Sequence, residues 1–221
     1  MANLVAQIGI VVTGGLVRVT SSGLGCPTWP ACVDGSIVPT DSQTEAFHKY
    51  IEFGNRLLTF VLGILAIAAI VGALRMRSRW KSEGAQPRRA ILLLAIVPLV
   101  GTLAQAVLGG ITVLTGLNPY SVRSHLLVSV AIIAGCVVLV RRAGEPGDEP
   151  LVRLVRGEIR SLSLILVATC AAVIVLGTIV TGAGPHSGDA GVDNRLPVNL
   201  RTAAWLHAHL VLLFIGLNAA L

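Results

Sequence analysis

Four residues set one spacing: His48, Glu52, Asn55 and Arg56. On a helix they stand at i, i+4, i+7 and i+8 and share one face. The run Leu57 to Leu74 that follows is apolar, so this face opens a membrane helix. Ionisable groups in a membrane segment are costly and turn towards a bundle interior or a cavity, which makes a functional site the default reading. Glu52 can act there as a general base or stabilise positive charge developing on a bound molecule. It can equally be the structural ion-pair partner of Arg56 one turn on.

Four further histidines, His125, His186, His207 and His209, lie near the starts of apolar runs or in the loop before one. Each alone can be a polar residue at a membrane interface. Together they suit haem ligation, because imidazole is an axial ligand of haem iron and bundle ligands come from facing helices. His125 can face the His48–Arg56 stretch at similar depth, while His207 needs a partner on a helix beyond Leu221. Arg56 suits the carboxylates of haem propionates. The His-Glu-x-x-His pattern of zinc hydrolases is absent from the sequence.

The elements that must position these residues follow from composition. The chain has 221 residues, 54% hydrophobic and 13% charged, which describes a polytopic membrane protein rather than a soluble domain. Apolar runs predict six helices: Met1–Val19, His48–Leu74, Ala90–Thr115, Val122–Val140, Ser161–Thr181, and a last one starting near Arg201. Eleven of the seventeen Lys/Arg fall in the segments Arg75–Arg89 and Arg141–Arg160. That is the pattern of cytoplasmic loops. It explains the net charge of +6 without nucleic acid, for which no basic stripe or binding motif is present. The expected topology is a multi-pass protein of the cell (plasma) membrane with a cytoplasmic N-terminus. All five histidines, Cys26 and Cys32 then lie on the extracytoplasmic side. No basic region or cleavage site marks Val5–Val12 as a signal peptide. The first run falls short of the roughly 20 residues of a full span, and the last is still apolar at Leu221. Both predict a chain shortened at its ends.

Cys26 and Cys32 sit in a loop rich in Gly and Pro. In an oxidising extracytoplasmic loop a disulfide is the expected state, either as a staple or as a redox-active pair. Cys136 and Cys170 lie in apolar runs and read as small buried hydrophobes. The ends of the third and fifth runs also resemble each other, Gly110-Ile-Thr-Val-Leu-Thr-Gly-Leu-Asn-Pro119 and Leu176-Gly-Thr-Ile-Val-Thr-Gly-Ala-Gly-Pro185, and the first ends Gly15-Leu-Val-Arg18-Val-Thr20-Ser-Ser-Gly23. Each precedes a helix with a histidine near its start, an internal repeat of the kind common in membrane folds.

These segments together resemble the haem A synthase family. The likeness is carried by Thr13 to Cys32, by Glu52-x-x-Asn55-Arg56, by Gly109 to Pro119 followed by His125, and by Thr181-Gly-Ala-Gly-Pro-His186-Ser-Gly-Asp189 followed by Leu206-His207-Ala. The resemblance implies an all-α membrane protein of two similar four-helix bundles that oxidises a methyl group of haem O to the formyl group of haem A by successive hydroxylations. Residues 1–140 would form the first bundle, on the substrate haem side. Residues 141–221 would supply the first two helices of a second bundle, which holds a haem b cofactor. It implies Glu52 as the catalytic carboxylate and His125 and His207 as ligands of haem iron, with His209 a substitute for the latter. His48, Asn55 and Arg56 are further haem-binding candidates, with Arg18 as a positioning contact and Cys26–Cys32 as a disulfide. The partners implied are haem O, the haem O synthase that supplies it, an electron donor and the lipid bilayer. The family has histidine after Glu-x-x, where this chain has Asn55, a poor iron ligand. Either His48 substitutes or His125 holds the first iron mainly alone. The rival readings are a di-haem b-type electron-transfer membrane subunit, which needs paired histidines on facing helices, and a transporter, which leaves the clustered histidines unexplained.

Overall fold

The computed structural model describes residues 1–41, 43–84, 88–145, 154–185, 188–189 and 191–221. His186 lies outside the described residues. Among the described residues six helices follow in order: α1 (Ala2–Val19), α2 (His48–Ser82), α3 (Arg89–Leu114), α4 (Pro119–Ala143), α5 (Gly157–Ala183) and α6 (Leu200–Ala220). All six are long and apolar enough to cross a membrane, and the expected all-α membrane bundle is what forms.

One boundary differs by two turns. The basic stretch after Leu74, expected as a loop, continues α2 to Ser82. Lys and Arg are good helix formers, and Trp80 packs on the cluster of Ala73, Ile91 and Ala95. Apolar periodicity reports only the membrane part of such a helix. At about 1.5 Å per residue the 35 residues of α2 span about 52 Å, well beyond a hydrocarbon core of about 30 Å.

Helices α1 to α4 close a ring, with α1 against α2 and α4, and α3 against α2 and α4. Helix α5 packs on α4, and α6 on α5. Large aliphatic side chains point outwards on every helix, while the contacts between helices use small residues, as membrane packing favours. Ala66 and Ala95 are fully buried. A Cβ on Gly101 would meet the Ile132 side chain at 2.6 Å, and one on Gly135 would meet Val97 at 3.0 Å, so α3 and α4 each present a glycine to the other. Polar pairs join α1 to α3 and α4. Gln7 Nε2 donates to Thr102 Oγ1 at 3.2 Å, and Cys136 Sγ donates to Asn3 Oδ1 at 3.5 Å.

The α3–α4 turn is built from its own residues. Leu117 N–H returns to Thr112 O at 2.9 Å, Gly116 takes φ +59°, Pro119 starts α4, and Asn118 Oδ1 accepts from Tyr120 N–H. This is the usual left-handed helix exit followed by a capped proline start. Leu117 itself sits at φ +55°. It is buried against Gly23 of the first loop and Gly188 of the fifth, and Gly23 N–H donates to Gly188 O at 2.8 Å. Three loops therefore meet over one end of the helices. At the other end Arg88 is buried, donates to Glu145 O at 2.8 Å, and lies 6.0 Å from the Trp80 ring.

Candidate functional site

The helix ends that meet the joined loops carry the candidate residues. Cys26 and Cys32 form a disulfide and are both fully buried. The loop they close is held from α2. Glu52 Oε2 accepts from Cys26 N–H at 2.7 Å. Its Oε1 accepts from Arg56 Nε at 3.0 Å and Nη2 at 2.6 Å. Arg56 Nη2 also donates to Cys26 O at 2.7 Å. Nη1 donates to Thr28 O at 3.0 Å and to Ala31 O at 3.1 Å. Arginine has five N–H donors in a planar fork, and all five are engaged here by Glu52 and three loop carbonyls. A buried carboxylate and a guanidinium are tolerable in such a place because each is paired and hydrogen-bonded.

His48 and Asn55 stand on the same face but have other partners. His48 Nδ1 is hydrogen-bonded to Ser22 Oγ at 2.8 Å, and its ring stacks on Phe47. The start of α2 admits the first loop only because residue 25 is glycine: a Cβ there would lie 2.5 Å from His48 O. Asn55 Oδ1 accepts from Thr13 Oγ1 on α1 at 2.7 Å, a polar bond between membrane helices. Lys49, next to His48, is buried and donates to Thr40 O.

The two imidazoles expected as iron ligands are seated alike. The point 3.3 Å from His125 Cε1 and 3.9 Å from Nδ1 is where a Cβ on Gly109 of α3 would stand. For His207 the same point belongs to Gly177 of α5, 3.2 Å from Cε1 and 3.7 Å from Nδ1. In both rings Nδ1 is buried and makes no hydrogen bond among the described residues. The faint repeat in the sequence is thus a repeated structure, a histidine near a helix start lying on a glycine of the preceding helix. Gly110, beside Gly109, receives the Trp29 ring of the disulfide loop, whose atoms lie 2.5–2.9 Å from the position of an added Cβ. The disulfide loop and His125 therefore rest on adjacent residues of α3.

His207 opens on a cleft of about 470 Å³ between α4, α5 and α6, lined by Leu126, Val130, Val173, Gly177 and Thr181. His209 points elsewhere. Its Nδ1 is hydrogen-bonded to Trp205 O at 2.8 Å and its ring packs on Trp205. Arg18 is half-buried near Gly188. Among the described residues no group of three or more His, Cys, Asp or Glu could hold a bare metal ion.

Several of these contacts have no signature in the sequence. Trp29, Gly109, Gly110, Gly177 and Thr13 lie within recognisable motifs, but spacing alone does not say which ring a glycine receives.

The fold and the site define a multi-pass membrane protein with two alike imidazole seats, one of them beside a disulfide-closed loop. A model of the COX15-CtaA family, cytochrome oxidase assembly protein, matches residues 1–186. The chain belongs to this family, that of the haem A synthases. Among curated relatives, proteins named "Heme A synthase" are similar to it. The one from Geobacillus thermodenitrificans is 36% identical over 116 residues, 52% of this chain and 32% of that protein. The one from Halalkalibacterium halodurans is 29% identical over 178 residues, 80% of this chain and 56% of that protein. The chain thus spans between about a third and just over half the length of these relatives. No solved structure matches it.

Proposed function

We propose that this chain carries the substrate half and part of the cofactor half of a haem A synthase, which oxidises a methyl group of haem O to the formyl group of haem A by successive hydroxylations. The observation that carries the reading is the doubled seat, His125 on Gly109 and His207 on Gly177. Two imidazoles held the same way in two successive helical hairpins fit one substrate haem and one cofactor haem b. Single imidazoles projecting from bundle helices fit axial ligation of haem iron. When bound, haem b supplies redox chemistry at its iron.

The division of labour follows the helices. Residues 1–140, which include the closed ring of α1 to α4, take haem O with His125 as its iron ligand. Residues 141–221 present His207 and the aliphatic cleft to haem b. Glu52 is the acidic group of the substrate site. A carboxylate has about four acceptor positions, and three are taken by Cys26 N–H and Arg56. The remaining one can orient a water or stabilise positive charge at the reacting carbon. Arg56 organises the same edge, and it would bind a haem propionate by exchanging a loop carbonyl for the carboxylate. Asn55 has its oxygen engaged by Thr13, which leaves His125 as the principal iron ligand of the first site. An iron with one strong protein ligand suits a haem that must enter and leave. The same engagement weighs against the di-haem electron-transfer reading, which needs a second imidazole there.

The charge distribution supports a cytoplasmic N-terminus and an extracytoplasmic site in the cell membrane. Haem O synthase supplies the substrate, and a separate electron donor completes the reaction. The test is expression in a host that makes haem O but no haem A, followed by haem extraction. Haem A is expected with the native protein and is lost in Glu52→Ala and His125→Ala. Absence of haem A from the native protein, with no effect of Glu52→Ala on bound haem, sinks the reading.

A further inference from the structure

The two imidazole seats differ in one residue. One helical turn before Gly109 on α3 is Gln105; one turn before Gly177 on α5 is Val173. Gln105 Nε2 donates to His125 O at 2.8 Å and also to Ser129 Oγ, which in turn donates to His125 O at 3.0 Å. The orientation of this amide is decided by chemistry. A carbonyl oxygen only accepts, so the arm facing His125 O must be the NH₂ group. The other arm, Oε1, is buried with no donor among the described residues. His125 Nδ1 is likewise buried without a partner, on a ring that lies against Gly109. Residues 105 and 109 share a face of α3. An acceptor without a donor, on an amide bonded to the His125 backbone, and an unpartnered nitrogen on the His125 ring are thus both left unmet in a membrane interior, where that is costly.

We infer that Gln105 is a positioning residue for His125, its Oε1 accepting the Nδ1–H through one bridging water molecule and so presenting Nε2 as the lone-pair nitrogen. Imidazoles that ligate metals usually donate their other N–H to an oxygen, which fixes the tautomer and ring orientation and raises ligand basicity. The second seat has no such acceptor at Val173, which lines the cleft beside His207. One seat built twice therefore yields two unlike ligands, a His125 whose tautomer is set by an amide and a His207 whose tautomer is not. The inference rests on His125 being the iron ligand of the first site, but the tautomer can be read without haem.

The experiment uses the whole chain with ¹⁵N-labelled histidine in detergent, with ring signals assigned through His125→Ala and His207→Ala. Native His125 is expected as one tautomer with the proton on Nδ1. Gln105→Met, of similar length with no acceptor, is expected to give a mixture, and Gln105→Glu to restore the single form. In haem-loaded protein the iron–histidine stretching band of the first site should fall in frequency in Gln105→Met and recover in Gln105→Glu, with the His207 signals unmoved. Val173→Gln should give His207 the Nδ1–H signature. Unchanged His125 signals in Gln105→Met overturn the inference; where that variant does not fold, unchanged His207 signals in Val173→Gln do so. Haem binding that survives His125→Ala overturns the ligand assignment instead, whatever the tautomer.

Discussion

Glu52 and Arg56 lie one turn apart on α2 and are joined by two hydrogen bonds, from Nε at 3.0 Å and from Nη2 at 2.6 Å. The remaining donors of Arg56 reach Cys26 O, Thr28 O and Ala31 O. The pair is therefore the clamp of the disulfide loop. Lysine at 56 keeps the charge but offers three donors on one nitrogen and cannot span these acceptors. Arg56→Lys is expected to destabilise the protein by about 2–3 kcal/mol. That is less than the roughly 3–5 kcal/mol for breaking a fully buried pair, because the Arg56 side chain retains 20% exposure. The loop should loosen with it. Under mild reductant, Cys26 and Cys32 should become alkylated faster than in the native protein. An unchanged alkylation rate counts against the clamp.

Adjacent glycines separate two effects. Alanine at 110 would put a methyl 2.5–2.9 Å from the Trp29 ring, and alanine at 109 would put one 3.3 Å from His125 Cε1. Overpacking typically costs about 1–3 kcal/mol. Gly110→Ala is expected at the upper end, because a bulky indole must leave its seat, and Gly109→Ala at the lower end, because the imidazole needs to give by only a few tenths of an ångström. Thermal unfolding measures the order. The fluorescence of Trp29, isolated by replacing Trp80 and Trp205 with Phe, should shift to the red in Gly110→Ala and stay put in Gly109→Ala.

How far these contacts can be read from the sequence depends on what each residue signals. The helices are legible because apolar runs register burial in lipid, and Glu52, Arg56 and His125 stand out because ionisable groups are rare in such runs. The disulfide follows from two cysteines in one loop. The path of the first loop is another matter. Its folding back onto α2 and α3 depends on backbone donors and carbonyls, such as Cys26 N–H and Ala31 O, which every residue possesses. Gly25, Gly109 and Gly110 do their work by lacking a side chain, so their partners are invisible until the chain is folded. Gln105 is similarly silent, one amide in an apolar run. The extension of α2 from Arg75 to Ser82 was hidden because a solvated helix needs no apolar stripe.

The second seat gives a paired prediction. Gly177→Ala would bring a methyl to 3.2 Å of His207 Cε1, much as Gly109→Ala does at His125. Haem retained by the purified protein should fall in each variant at one site only. Separate His125→Ala and His207→Ala proteins identify which spectrum belongs to which site. If Gly177→Ala reduces both spectra equally, the two hairpins do not bind independently.

Asn55 offers the sharpest test of the first site. Its Oδ1 accepts from Thr13 Oγ1 at 2.7 Å, and the nearest imidazole on α2, His48, has Nδ1 engaged by Ser22 Oγ at 2.8 Å. Under the proposed function, His125 is therefore the principal protein ligand of the first iron. Asn55→His removes the bond to Thr13, which costs on the order of 0.6–1.7 kcal/mol for a polar contact between membrane helices. In exchange it places an imidazole two turns into α2, at i+3 from Glu52. With haem bound, the first site of the native protein should show a high-spin, singly ligated spectrum. Asn55→His should convert it to a low-spin, bis-imidazole spectrum with slower haem loss. His48→Ala should leave the native spectrum unchanged. A native low-spin spectrum that turns high-spin in His48→Ala makes His48 the second ligand and refutes the open position.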